Sequence, residues 1–167
     1  MDDAFGHPLK PPFDAYVNDI NYLLASYEIP NPILQSSTAK RLVAGLLGVE
    51  SGQDAVLRAF LYERGRKKVE PYGITVAEFT NRISKLRNKL GHHGIKDEGL
   101  NVKPKVGVDG RIRENILAED KYSMAYDRTP KEILRIVYDS GKENKPGRLY
   151  PKGAERRIAK SYLRHGD

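Results

Sequence analysis

A chain of 167 residues with 39% hydrophobic side chains is long enough to enclose one real core, which excludes a wholly disordered protein. It has no Cys and no Trp, so disulfide frameworks, thiol catalysis and cysteine metal sites are excluded as well. The net charge of +7 is uneven: residues 1–62 carry 4 basic and 7 acidic side chains, residues 63–167 carry 25 and 15, and the basicity belongs to the second part.

Three prolines and one glycine within residues 1–12 predict an extended lead-in. From Asp14 to about Glu28, the residues Phe13, Tyr16, Val17, Ile20, Leu23, Leu24 and Tyr27 recur at helical spacing until Pro30 and Pro32 stop the pattern, which predicts a first helix. Ser36, Ser37 or Thr38 can cap a second helix running from 38 to about Glu63. Projected at about 100° per residue, Val43, Leu46, Leu47, Leu57, Phe60 and Leu61 form one wide stripe on it, while Gly45, Gly48, Gly52, Ala55 and Ala59 gather on the opposite side. Each helical glycine costs about 1 kcal/mol relative to alanine, so the small-residue face asks for a close neighbour, and the helix is expected to have partners on two sides.

A third helix is predicted over 75–90, from the Thr75/Glu78 capping pair, the apolar line Val76, Phe79, Ile83, Leu86 and Leu90, and Gly91 at its end. Its other faces are polar, so it is expected to cover one side only. Residues 92–128 show no period and read as long coil. Thr129, Pro130 and Glu132 then start a short helix near 130–139 that Gly141 ends, with one further turn expected near Ala154 to Tyr162.

Within the apolar stripe of the second helix, Glu50 and Gln53 stand three residues apart and so nearly one above the other. A carboxylate among apolar neighbours needs a partner, and the spacing resembles the Glu-x-x-His half-site of di-iron carboxylate bundles with Gln in place of His. An amide is a weak iron ligand and the first helix offers no carboxylate on its core face. The pair is therefore read as a vestigial metal half-site, with no cofactor expected in this chain and iron only if further helices complete the site. Arg64, Arg66, Lys67, Lys68, Arg82, Lys85 and Lys89 are candidate polyanion contacts for nucleic acid or cell-wall polymers, with Tyr72, Tyr122 and Tyr126 as possible stacking residues. Neighbouring His92 and His93 point apart and show no acidic partner at ligand spacing, and Gly107 to Gly110 reads as a turn.

The strings FGHPLKPPFDAYVNDINYLLASYEIP, LVAGLLGVESGQDAVLRAFLYER, PYGITVAEFTNRISKLRNKLG, IKDEGL, RTPKEILRIVY and LYPKGAERRIAKSYL resemble the desiccation-related proteins of plants, a family with a ferritin-like domain. The resemblance implies a mainly α-helical protein: a partial ferritin-like bundle over 1–64, corresponding to the last two bundle helices, and a basic C-terminal extension over 65–167 with short helices and long coil. It also implies a truncated form, because family sequences run well upstream of Met1 with a secretory leader and two more bundle helices. The family has no well-established reaction, so a stress-protective or structural, non-enzymatic role is expected. The face left bare on helix 38–63 predicts self-association. The longest apolar runs, such as Val43 to Val49, are far below the roughly 20 residues of a membrane span, and Met1-Asp2-Asp3 does not begin a leader, so compartment stays open.

Overall fold

The computed structural model describes residues 1–27, 40–101, 117–120, 122, 124–153 and 157, leaving aside the side chains of 26, 27 and 40–43. It is mainly α-helical: α1 (Asp2–Phe5), α2 (Asp19–Tyr27), α3 (Lys40–Glu63), a two-stranded sheet of β1 (Lys68–Val69) and β2 (Ile74–Thr75), α4 (Val76–Gly91) and α5 (Pro130–Val137). The expected Pro30 to Pro32 break, the caps at Ser36 to Thr38 and Gly107 to Gly110 lie outside the described residues, as does nearly all of the last expected turn.

The lead-in is more ordered than its prolines suggest. Asp2–Phe5 makes one helical turn closed by Gly6 at φ 75, a conformation that glycine adopts without a Cβ penalty. Phe5 supplies the reason: its ring lies 4.7 Å from that of Phe79, and Phe13 and Tyr72 complete the aromatic cluster. The first predicted helix starts later than its apolar pattern does. Asp14 Oδ1 accepts from the Tyr16 N–H at 2.9 Å and Asn18 Oδ1 from the Asn21 N–H at 2.8 Å, so short polar side chains hold 14–18 in turns and Asn18 caps α2. Tyr16 and Val17, expected on the core face, are consequently exposed.

α3 keeps the length its sequence predicts, but its two faces are not both covered. Arg58 and Leu61 are buried, whereas every residue from Ala44 to Val49 is exposed. A Cβ added at Gly45, Gly48 or Gly52 would meet nothing within 4 Å. The close neighbour expected along the small-residue face is not among the described residues.

After α3 the chain turns back through a hairpin, β1 and β2, antiparallel with Lys68 opposite Thr75 and Val69 opposite Ile74. Gly73 at φ 72 makes the turn. Thr75 then caps α4, its side chain accepting from the Glu78 N–H at 3.2 Å, and the cap at the far end is His92 at φ 69, one residue beyond Gly91. α4 corrects the expectation of a one-sided helix, since Thr80, Ser84 and Arg87 are buried along with Val76, Phe79 and Ile83. Leu24, Leu61, Val69, Val76, Phe79, Ile83 and Leu100 form one cluster with α4 at its centre.

Of the predicted coil, the described parts are irregular, with one isolated bridge between Glu119 and Ala125. This coil packs tightly in places: a Cβ on Gly99 would fall 2.8 Å from the Asn81 backbone. α5 begins as its sequence predicts. The Thr129 hydroxyl accepts from the Glu132 N–H at 3.3 Å, and Glu132 accepts from the Thr129 N–H at 2.7 Å.

Candidate functional site around helix α3

Glu50 and Gln53 lie on the uncovered half of α3, Glu50 half-buried and Gln53 exposed. One turn below Glu50 on the same face stands Asp54, and one turn below that Arg58, so the three form a column from open helix to core. The Arg58 guanidinium is 1% exposed and donates to the carbonyls of Glu98 (3.1 Å) and Gly99 (3.4 Å), fastening α3 to the coil after α4. Burial raises the Asp54 carboxyl above its usual range, Arg58 and Arg87 pull it back in part, and Asp97 adds to the rise.

Beneath this column runs a buried ionic network that the periodicity did not disclose. Arg87 Nε lies 2.6 Å from Asp97 Oδ2, and Ser84 Oγ donates to Asp97 Oδ1 at 3.1 Å. Arg128 Nη2 adds a second cation 3.6 Å from Asp97 and donates to the Lys96 carbonyl at 2.9 Å. Lys96 Nζ pairs with Glu132 at 2.9 Å, and His93 Nδ1 stands 3.6 Å from the same carboxylate. His93 thus has an acidic partner after all, supplied by α5 from 39 positions away, a distance that hides it from any reading of local spacing. Burial works against the Glu132 carboxylate, but the Thr129 N–H, the Lys96 ammonium and the Thr129 hydroxyl outweigh it, leaving Glu132 below the usual carboxylate range. The available sequence signal was Thr80, Ser84 and Arg87, polar residues at helical spacing beside the apolar line of α4.

The seven candidate polyanion contacts do not form one uniform patch. Arg64 sits 3.4 Å from Asp19, donates to the Phe60 carbonyl and covers the Phe60 ring. Arg82 pairs with Glu78 at 3.1 Å and lies over the Phe5 ring at 4.8 Å. Arg66, Lys67, Lys68, Lys85 and Lys89 are exposed. Of the tyrosines, Tyr72 is taken up in the aromatic cluster and donates to the Pro11 carbonyl, and Tyr126 is half-buried with its hydroxyl pushed up to about 12 by burial, helped by Glu98. Tyr122 is exposed.

Two curated plant proteins match nearly all of this chain. Desiccation-related protein PCC13-62 from Craterostigma plantagineum is 56% identical over 162 residues, covering 91% of the chain and 52% of that protein. Ferritin-like catalase Nec2 from Nesocodon mauritianus is 49% identical over 173 aligned positions, covering 98% of the chain and 56% of that protein. The chain belongs to the desiccation-related, ferritin-like family of plants. It spans about half the length of the curated relatives it matches. No protein-family model and no solved structure matches it.

The family membership carries a correction. The expectation of a non-enzyme rested on a family without an established reaction, and a relative named as a catalase, aligned along 98% of this chain, overturns it. The same name bears on metal. Among the described residues no group of three or more His, Cys, Asp or Glu side chains could hold an ion, so Glu50 and Gln53 fit at most one part of a ferritin-like centre and do not make a site by themselves.

Proposed function

We infer that the chain is a stress-associated member of the desiccation-related, ferritin-like family that takes part in disposing of peroxide, with α3 as a bundle helix and Glu50 as its contribution to the reactive centre. The observation that carries this reading is the position of Glu50: a half-buried carboxylate on a helical face uncovered among the described residues, with half-buried Asp54 and buried Arg58 beneath it. The relative named as a ferritin-like catalase supports the reaction class, and the relative named as desiccation-related supports the physiological setting. Because the donor set in the described residues is incomplete, iron enters this reading only where further bundle helices add ligands.

The test compares the chain alone with a fusion that places two additional ferritin-like helices upstream of it, measuring ferrous iron bound per chain and oxygen released from hydrogen peroxide. The fusion is expected to bind iron stoichiometrically and to release oxygen, and Glu50→Gln in the fusion to lose both. Iron binding and oxygen release that persist in Glu50→Gln would remove Glu50 from the centre.

A second reading, polyanion binding, is favoured by one observation: Arg66, Lys67, Lys68, Lys85 and Lys89 remain exposed. It predicts retention on heparin that falls steeply with salt, as neutralised charges release condensed counterions. Loss of retention in Lys67→Gln with Lys68→Gln supports it, and salt-independent retention removes it.

A further inference from the structure

The C-terminal half of α4, the far end of α5 and the turn at 147–150 do not close completely on one another. Leu86, Leu90, Ile136, Val137 and Leu149 wall a half-enclosed cavity of about 170 Å³, together with buried Ile83 and with Ala25 of α2. No residue of α3 lines it, so this space is separate from the bare face of that helix and from the peroxide reading.

Two side chains of opposite charge join the apolar walls. Arg148 Nη1 donates to Asp139 Oδ2 at 3.0 Å, and both residues line the cavity. With Ala25, the same pair also lines an open hollow of about 470 Å³ that Met1, Asp2 and Phe13 share. The pair therefore stands between the apolar interior and the surface, at the mouth that anything entering must pass.

The backbone gives Arg148 this place against its own preference. The Tyr150 N–H donates to the Gly147 carbonyl at 2.9 Å, so residues 147–150 form a tight turn, and Arg148 occupies its second position at φ 37. Turns that need a positive φ there favour Gly, Asn or Asp. Asp139 at φ 56 and His92 at φ 69 simply follow the ends of α5 and α4, but no helix end accounts for Arg148. A long cation held in a conformation suited to glycine calls for a use of its side chain.

We propose that this cavity is a binding site for a small, uncharged ring compound with one hydroxyl, of the size and kind of phenol. An apolar cavity of about 150 Å³ holds a benzene-sized molecule, so a six-membered ring fits this one. The head group follows from the pair at the mouth. A hydroxyl both donates and accepts, and Asp139 beside Arg148 sets an acceptor next to a donor. A carboxylate head would meet Asp139, and an ammonium head would meet Arg148 and Arg87, which lines the cavity as well. The hydroxyl opposes neither charge and leaves the ion pair intact. Apolar walls then supply the burial and the pair fixes the orientation, the usual division of labour in a small-molecule site.

The test titrates the isotope-labelled chain with phenol, toluene, benzoate and benzylamine while following backbone amide shifts. Phenol is expected to bind saturably in the millimolar range and to shift the amides of Leu90, Val137 and Leu149, with benzoate and benzylamine about tenfold weaker or worse. Arg148→Gly suits the turn, and it is expected to weaken phenol about tenfold while leaving toluene unchanged. Ala25→Leu fills the edge of the cavity with a good helix former, and it is expected to abolish binding of both with unchanged helical circular dichroism. The proposal is overturned by the absence of a saturable phenol response, by phenol affinity that Arg148→Gly leaves unchanged, or by benzoate or benzylamine binding as tightly as phenol. The Asp139 and Arg148 pair would then serve only to lock the turn onto the end of α5.

Discussion

Arg87 Nε and Asp97 Oδ2 lie 2.6 Å apart with side-chain exposures of only 9% and 12%, so the coil that follows α4 is fastened to that helix by a nearly dry ion pair. Arg128 approaches the same carboxylate from the segment leading into α5, and Asp97 is therefore the anion on which two cations depend.

Removing that anion takes from two poorly solvated guanidiniums the carboxylate they share. Asp97→Asn is expected to cost about 3–5 kcal/mol, the range for breaking a buried pair from one side. Arg87→Met combined with Asp97→Leu is expected to cost less, since only Arg128, which also feels the Glu132 carboxylate, then loses the Asp97 anion. Urea unfolding of the three proteins checks this, and equal losses in the single and double variants would remove the pair from the account.

Glu143 gives the fold an acid limb. Arg135 holds its carboxyl down to about 2 in the folded chain, against an ordinary 4.5. A depressed folded value means that the stabilisation is fully present above pH 4.5 and is lost as pH falls through the range down to about 2. Glu132 is shifted in the same direction, so both act together. Glu143→Gln is expected to flatten the dependence of melting temperature on pH in that window and to lower the melting temperature at pH 7. An unchanged slope counts against the Arg135 and Glu143 pair.

Asp54 is shifted the other way. Burial raises its carboxyl above 3.8, so its ionised form is less favourable in the folded chain than in the unfolded one, and its contribution worsens as pH rises past that ordinary value. Asp54→Asn is expected to raise stability at neutral pH and to change it little in acid. Thermal melts at two pH values test the sign, and a loss at neutral pH would show that Arg58 and Arg87 need the charge more than burial opposes it.

Two glycines should respond in opposite directions. Gly48 sits in open space on α3, and Gly48→Ala is expected to stabilise the helix by about 1 kcal/mol. Gly99 lies against the Asn81 backbone, and Gly99→Ala is expected to destabilise by about 1–3 kcal/mol, as overpacking does. Denaturant midpoints of the two variants decide it.

What the sequence by itself determined was local. Thr129, Pro130 and Glu132 specify the start of α5 through a capping box made by neighbouring residues, and Thr75 does the same for α4. The line Val76, Phe79 and Ile83 names part of the core because helical period and burial coincide there. The quoted strings were enough to place the chain in its plant family. Where polar side chains compete with the backbone, pattern alone misleads: Asp14 and Asn18 hold turns that delay α2, and Tyr16 and Val17 leave the core face despite perfect spacing. Only the tertiary structure decided that the wide leucine stripe of α3 divides, with Leu61 turned into the core and Leu46, Leu47 and Phe60 left outside. Only it joined Arg87 to Asp97, Arg58 to the 98–99 carbonyls and His93 to Glu132. These contacts link residues 10 to 41 positions apart, and no rule of helical or strand period acts over that distance; a buried charge needs a partner, which Asp97 supplies to Arg87 and the 98–99 carbonyls supply to Arg58.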